Sequence, residues 1–409
     1  MKRLKKASLW VVILAMAVLL AACGQSKQTQ QEGQQPAGKE QGTGDTIKVG
    51  LNLELSGEVA TYGTAIKNGI LLALEEINQS GGVLGKKLEP VVRDNASKAE
   101  EAMSVATKLV TQEKVVAVLG PATTGATKAC IPVVTDNKVP LISPSATALD
   151  VTYDPQSKKV REFIFRTCFT DPPQAVVGAE FAFKELGAKK AAILYDNTND
   201  YSKGLYKVFK DEFTKLGGQV VAEGSFGKDD QDFRPLLTKV SQAGAELIYV
   251  PAYYEKVGKI VAQARELGLK VPMLGADGWD SPDLVKFAGG AQNLKDTYFT
   301  NHYSSSDPSP KVQAFVKAYK AKYNAEPDSF AALGYETAYL LADAIKRAGK
   351  VDPVAIKDAL AATKDFEGIT GKITMDAYHN PVKEVAIISL VDGKQTLKAK
   401  KLAPQLNVE

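Results

Sequence analysis

Histidine is almost missing from this chain: its 409 residues hold only His302 and His379. Neither stands in a spacing motif with a Cys, an Asp or the other His, which argues against a His-based metal site and a nucleophilic triad. There is no G-x-S-x-G elbow. The segment GVLGKK at 82–87 lacks the glycine spacing of a phosphate loop and a hydroxyl after Lys87, and it ends a helix instead of opening one. No G-x-G-x-x-G follows the first strand. Carboxylate pairs need no motif, so these absences do not exclude an enzyme, but nothing supports one, and neither cofactor nor metal is expected. Cysteine is scarce too, with only Cys23, Cys130 and Cys168.

A long apolar run is also lacking. The one apolar stretch near the N-terminus, 9–20, is short for a membrane span. Lys2, Arg3, Lys5 and Lys6 precede it, and Ala21 and Ala22 follow it, so residues 1–22 read as a secretory signal peptide. Leu20-Ala21-Ala22-Cys23 resembles the lipobox of bacterial lipoproteins, which implies lipidation at Cys23 and attachment to the outer face of the cytoplasmic membrane. An ordinary signal peptide followed by a chance Cys is the alternative. The four basic residues ahead of Cys23 account for the formal charge of +4. The remainder is near neutral, and nothing points to nucleic acid. An exported chain could pair Cys130 with Cys168, but two buried free thiols fit the pattern as well.

Residues 23–45 are rich in Gln and Gly and nearly free of apolar side chains, which makes them a tether. From Ile47 strands and helices alternate. A strand at 47–54 leads to a helix carrying Ile66, Ile70, Leu74 and Ile77, and 88–94 is the next strand. Further strands are expected at 163–169, 191–196, 219–226, 297–303, 371–376 and 385–393, with a mostly helical region at 311–363. This order implies βαβ units in parallel sheets, and the length implies two domains.

One phrase occurs twice. Residues 115–147 and 247–279 each run apolar strand, Pro-Ala, helix, Lys-Val-Pro, apolar strand, polar loop. The first copy fills its loops with Thr123, Thr124, Ser143, Ser145 and Thr147. The second uses Tyr253, Tyr254, Asp277 and Trp279. Ligands of parallel α/β sheets bind beyond the carboxyl ends of the strands. Two such units face to face would give a cleft with hydroxyls on one wall and an acid with aromatics on the other. Thr124 starts a helix, where free N–H groups favour an anion. Asp277 would complement a cation, so the pair suits a zwitterion. Thr124 and Thr147 could equally be helix caps, Asp277 could cap the next helix, and the aromatics could simply pack.

Seven phrases carry a resemblance: SGEVATYG from Ser56, INQSGGVLGKKLE from Ile77, LGPATTGAT from Leu119, PLISPSAT from Pro140, FRTCFTDPPQ from Phe165, DFRPLL from Asp232, and VPAYY with GADGWDSP between Val250 and Pro282. Together they resemble the branched-chain amino-acid-binding lipoproteins of ABC importers. The resemblance implies the type I periplasmic-binding-protein fold, α/β with two doubly wound parallel-sheet lobes joined by three hinge crossings, placed near Cys168, Phe299 and Gly371. Lobe 1 is then 46–168 with 300–370, and lobe 2 is 169–299 with 371–405. It implies that Thr124, Ser145, Ala146 and Thr147 clamp an α-carboxylate, that Tyr201 and Tyr253 close over the ligand, and that Tyr62 lies near its side chain. Asp277 stands where the family has Glu, opposite the ammonium; the shorter acid bears on its reach. The implied function is capture of a small amino acid (Leu, Ile or Val) by a monomer that delivers it to the permease subunits of an ABC importer. The alternatives are an amide, urea or aromatic acid as ligand, or a sensor role.

Overall fold

The computed structural model describes residues 46–402. The signal peptide, Cys23 and the tether lie outside the described residues.

Along the chain, β1 (Ile47–Leu53), α1 (Ala60–Gln79), β2 (Leu88–Asp94), α2 (Ala99–Thr111), β3 (Val118–Leu119), α3 (Thr124–Asp136) and β4 (Leu141–Ser143) alternate as expected. A short hairpin, β5 (Tyr153–Asp154) and β6 (Lys159–Val160), precedes β7 (Ile164–Arg166). Then come α4 (Asp171–Glu180), β8 (Lys190–Asp196), α5 (Asp200–Lys215), β9 (Gln219–Phe226), α6 (Arg234–Gln242), β10 (Leu247–Tyr249), α7 (Tyr254–Glu266), β11 (Met273–Gly275), α8 (Leu284–Phe287) and β12 (Thr297–Asn301). The helical region resolves into α9 (Pro310–Tyr323), α10 (Ser329–Ala348) and α11 (Pro353–Ala361). Two short strands, β13 (Phe366–Glu367) and β14 (Lys372–Ile373), and the hairpin β15 (Glu384–Val391) with β16 (Lys394–Leu402) end it.

The strands form two main sheets. The first has the order β2-β1-β3-β4-β7, and the second β16-β15-β12-β11-β10-β8-β9. All pairs within the first sheet are parallel, as are those from β9 to β12 in the second; β15 and β16 extend its far side antiparallel. The five parallel strands follow the same order in both sheets, reversing direction at the first strand, which is where such sheets bind ligands. The two copies of the sequence phrase are the adjacent pairs β3–β4 and β10–β11, each bridged by a helix.

The first crossing lies where it is expected, near Cys168, and the other two fall somewhat later in the chain. The first follows β7, at 167–170. Phe299 lies within β12, hydrogen-bonded into the second sheet, so the second crossing comes after Asn301. Gly371 is followed by β14, and His379 stacks on Phe165 of the first sheet (4.2 Å) while Asn380 bonds Thr152. We therefore place the third crossing at about residue 383, just before β15. β16 went unread because its alternation of Lys with Leu, Thr and Ala is that of an edge strand with one half-covered face.

One hydrophobic cluster runs from Leu51 and Leu53 through Tyr62, Phe330 and Tyr254 to Trp279 and Ile248, so the two lobes are closed on each other. Helix α10 returns to α1 at close range. A Cβ at Gly69 would sit 2.0 Å from the Ala331 carbonyl oxygen, so only glycine allows the approach. Cys130 and Cys168 are buried free thiols, not a disulfide; burial pushes the Cys168 thiol up to about 12.

Candidate functional site

Five loops at strand ends meet between the sheets: those after β1, β3 and β4 from one side and those after β10 and β11 from the other. With the start of α5 and α10, they bring together Tyr62, Ala122, Thr123, Thr124, Ser145, Tyr201, Tyr253, Asp277, Gly278 and Phe330. Six of the eight expected ligand-binding residues are in that set. Thr147 and Ala146 lie farther along the loop after β4 and do not line it. A water-sized sphere has about 10 Å³ of room there, enough for roughly one water, so an amino acid enters only when the walls part.

The first wall offers hydroxyls. Thr124 and Thr147 are buried; Thr124 Oγ1 has no hydrogen-bond partner, while the Thr147 hydroxyl faces the Asp171 carboxylate and opposes the rise of its pKa. Neither therefore acts as a helix cap through its side chain. A buried hydroxyl without a partner costs about 1–3 kcal/mol, which a ligand oxygen would recover. Ser145 Oγ donates to the Ala122 carbonyl at 2.8 Å. Ala146 is already committed: its N–H donates to Ser143 Oγ (3.0 Å) and its carbonyl accepts from Arg166 Nη1 (2.7 Å). Arg166 is fully buried and also donates to the Ala148 carbonyl at 2.8 Å, so it fixes the path of this loop.

Glu54 has a different task from lining a pocket. Its carboxylate accepts from the N–H groups of Ala122 (3.0 Å) and Thr123 (3.1 Å) and from Thr123 Oγ1 (2.9 Å). It thus holds the turn that leads into α3. Burial raises its pKa, and these donors oppose the shift.

The second wall is organised around Asp277, which is 2% exposed. Tyr201 OH donates to Oδ1 at 2.8 Å and accepts from Gly278 N–H at 2.9 Å. Gln174 Nε2 donates to the same Oδ1 at 3.0 Å, while Gln174 Oε1 accepts from Asp277 N–H at 3.3 Å. His302 Nε2 lies 3.1 Å from Oδ2. Asp277 therefore caps no helix through its side chain. A carboxylate has about four acceptor positions, and three are taken from one side. Gln174 also donates to Asp171 Oδ1 at 3.2 Å. Burial pushes the Asp171 carboxyl up to about 8, with the charge of Asp277 adding to the shift.

Aromatic rings complete the enclosure. Tyr62 stacks on Phe330 (4.1 Å) and meets Tyr253 edge-on (5.7 Å), and Tyr253 stacks on Tyr201 (5.2 Å). Tyr62 OH donates across the cleft to the Gly278 carbonyl. Tyr254 OH reaches the Glu58 carbonyl at 2.9 Å, and Lys128 Nζ bridges Asp150 (2.5 Å) and Asp200 (2.6 Å) at the rim. Trp279 is core: its Nε1 donates to the Val250 carbonyl (2.8 Å), and it covers Gly275, where a Cβ would fall 1.9 Å from the indole. Gln174, His302 and Phe330 were not singled out from sequence. Gln174 belongs to a quoted phrase, but nothing in a helix turn marks the residue that reaches an acid 103 positions away.

Residues 46–395 match the family model described as periplasmic binding protein. The leucine-, isoleucine-, valine-, threonine- and alanine-binding protein of Pseudomonas aeruginosa is 31% identical over 332 residues, 81% of this chain and 86% of that protein. The crystal structure of the branched-chain amino acid transporter substrate binding protein LivJ of Streptococcus pneumoniae in complex with isoleucine is 42% identical with a TM-score of 0.81, covering 88% of this chain and 99% of that one. The leucine binding protein LivK of Thermotoga maritima is 34% identical with a TM-score of 0.81, over 88% and 99%.

Proposed function

The chain belongs to the periplasmic binding protein family, and on that premise we propose that it captures a branched-chain amino acid (Leu, Ile or Val) between its lobes for an ABC importer, binding without turnover. The observation that carries this is the pairing of opposite chemistries across one closed cleft: the unpartnered hydroxyl of Thr124 on one wall and Asp277 on the other. An α-carboxylate suits the hydroxyl wall and the start of α3; an α-ammonium suits Asp277. Tyr62, Tyr253 and Phe330 offer the side chain an apolar surface. The relatives named above, which bind these amino acids, support the reading. A thermal-shift screen of the common amino acids tests it. A ligand at about 100 times its Kd stabilises by about 2.7 kcal/mol, so leucine, isoleucine or valine should raise the Tm clearly. A screen in which only neutral amides or aromatic acids raise it would overturn the assignment.

We further propose attachment through lipidated Cys23, from the lipobox-like sequence and the polar stretch that follows. Two or more acyl chains give stable anchoring. Cys23→Ser should move the protein from the membrane to the soluble fraction on cell fractionation. A mutant that stays with the membrane would contradict the anchor.

A further inference from the structure

His302, 4% exposed, sits just beyond β12 with its ring stacked on Phe169 at 3.6 Å. Its Nε2 meets Asp277 Oδ2 at 3.1 Å, and its Nδ1 is buried with no partner. That arrangement suits one tautomer: the proton on Nε2, donated to the carboxylate, and a bare Nδ1. An imidazolium would leave a buried N–H at Nδ1 unsatisfied, but it would give Asp277 a full positive charge. The ligand's ammonium offers Asp277 that same charge, and two cations sharing one buried carboxylate repel each other.

We propose that His302 is a positioning residue of the ammonium site: neutral when ligand is bound, it orients Asp277, and its protonation competes with the ligand's ammonium, so affinity falls as pH falls. The inference rests on the amino acid reading above. The other charged groups around the ring do not supply the effect. Behind it, His302 borders a cavity whose charged groups are balanced, with Asp307, Glu367 and Glu384 against Lys311, Lys372 and Lys400. The neighbouring Glu336 and Lys383 are paired with each other at 2.5 Å. On the cleft side stand Asp277 and, joined to it by Gln174, Asp171. Asp171 is a competitor, as are Asp277 itself and Asp280, bonded to the adjacent Asn301 at 2.8 Å, because a carboxyl that takes up a proton as pH falls would weaken cation binding in the same direction. Arg166, buried nearby, stays charged throughout.

Calorimetric titration of the full chain with leucine from about pH 8 to about pH 5, the range over which histidine changes charge, separates His302 from these carboxyls. Wild type should lose up to about tenfold in affinity per pH unit over part of that range, the limit for one linked proton. His302→Gln keeps an amide donor toward Asp277. It should show a flatter profile than wild type. Asp171→Asn should retain most of the slope. A His302→Gln profile as steep as wild type, or a flat wild-type profile, overturns the proposal. Should His302→Gln fail to fold, proton NMR of the wild-type imidazoles decides: saturating leucine should lower the midpoint at which His302 titrates, and an unchanged midpoint overturns the proposal. Whether wild type binds leucine at about pH 8 tests the amino acid reading separately.

Discussion

Asp277→Asn should weaken amino acid binding by about 2–5 kcal/mol, the usual loss when a buried charge pair is broken, or roughly 30- to 5,000-fold in Kd. The substitution keeps the shape of the side chain and removes its charge. Tyr201 OH and Gln174 Nε2 can still donate to an amide oxygen, so the second wall should keep its geometry. The amide NH2 takes the place of Oδ2 against His302 Nε2, so part of the loss should also appear in the stability of the free protein and the larger part in binding. Isothermal titration with leucine, alongside urea unfolding without ligand, separates the two. A mutant that binds leucine as tightly as wild type would show that Asp277 only ties the β11 loop to α4 and α5.

Glu54→Ala should have the opposite signature, a loss of stability in the free protein. Two backbone donors, the buried Ala122 N–H and the part-buried Thr123 N–H, lose their acceptor. At about 1–3 kcal/mol each, the cost is roughly 2–6 kcal/mol. The upper end is softened because a buried carboxylate is itself costly, as the raised pKa of Glu54 indicates. Ligand affinity should fall as well, since the turn leads directly into Thr124. A loss below about 1 kcal/mol in urea unfolding would mean that water replaces the carboxylate without penalty.

The parts legible in the sequence were those written locally. Apolar strands, stop signals and helical spacing located most elements of both sheets, and the duplicated phrase identified the two loop pairs that meet, β3–β4 and β10–β11. Thr124, Tyr253 and Asp277 stand out because each lies within a few residues of a strand's carboxyl end. The network behind them is not local. Gln174 meets Asp277 across 103 positions, and His302 meets it across 25, just past the end of β12. His302 looked partnerless because a strand end and a helix-poor segment separate it from its acid. Glu54 follows β1 as a conspicuous acid, yet only the fold reveals that it is committed to the turn of 122–123. Trp279 had the type and position of a ligand contact, but the glycine beneath it and the Val250 carbonyl beside it make it core.

The central claim is that the cleft reads a zwitterion, with an anion held by the first wall and a cation by Asp277. Calorimetric titration of the wild-type protein with leucine and with 4-methylpentanoate, the same molecule without its amino group, tests this most directly. Leucine is expected to bind with a Kd in the micromolar range or tighter, about −8 kcal/mol or beyond. The des-amino acid is expected to bind at least about 30-fold more weakly, because Asp277 would be left buried beside an uncharged carbon. Equal affinity for the two compounds would show that the ammonium is not read and would contradict the amino acid assignment.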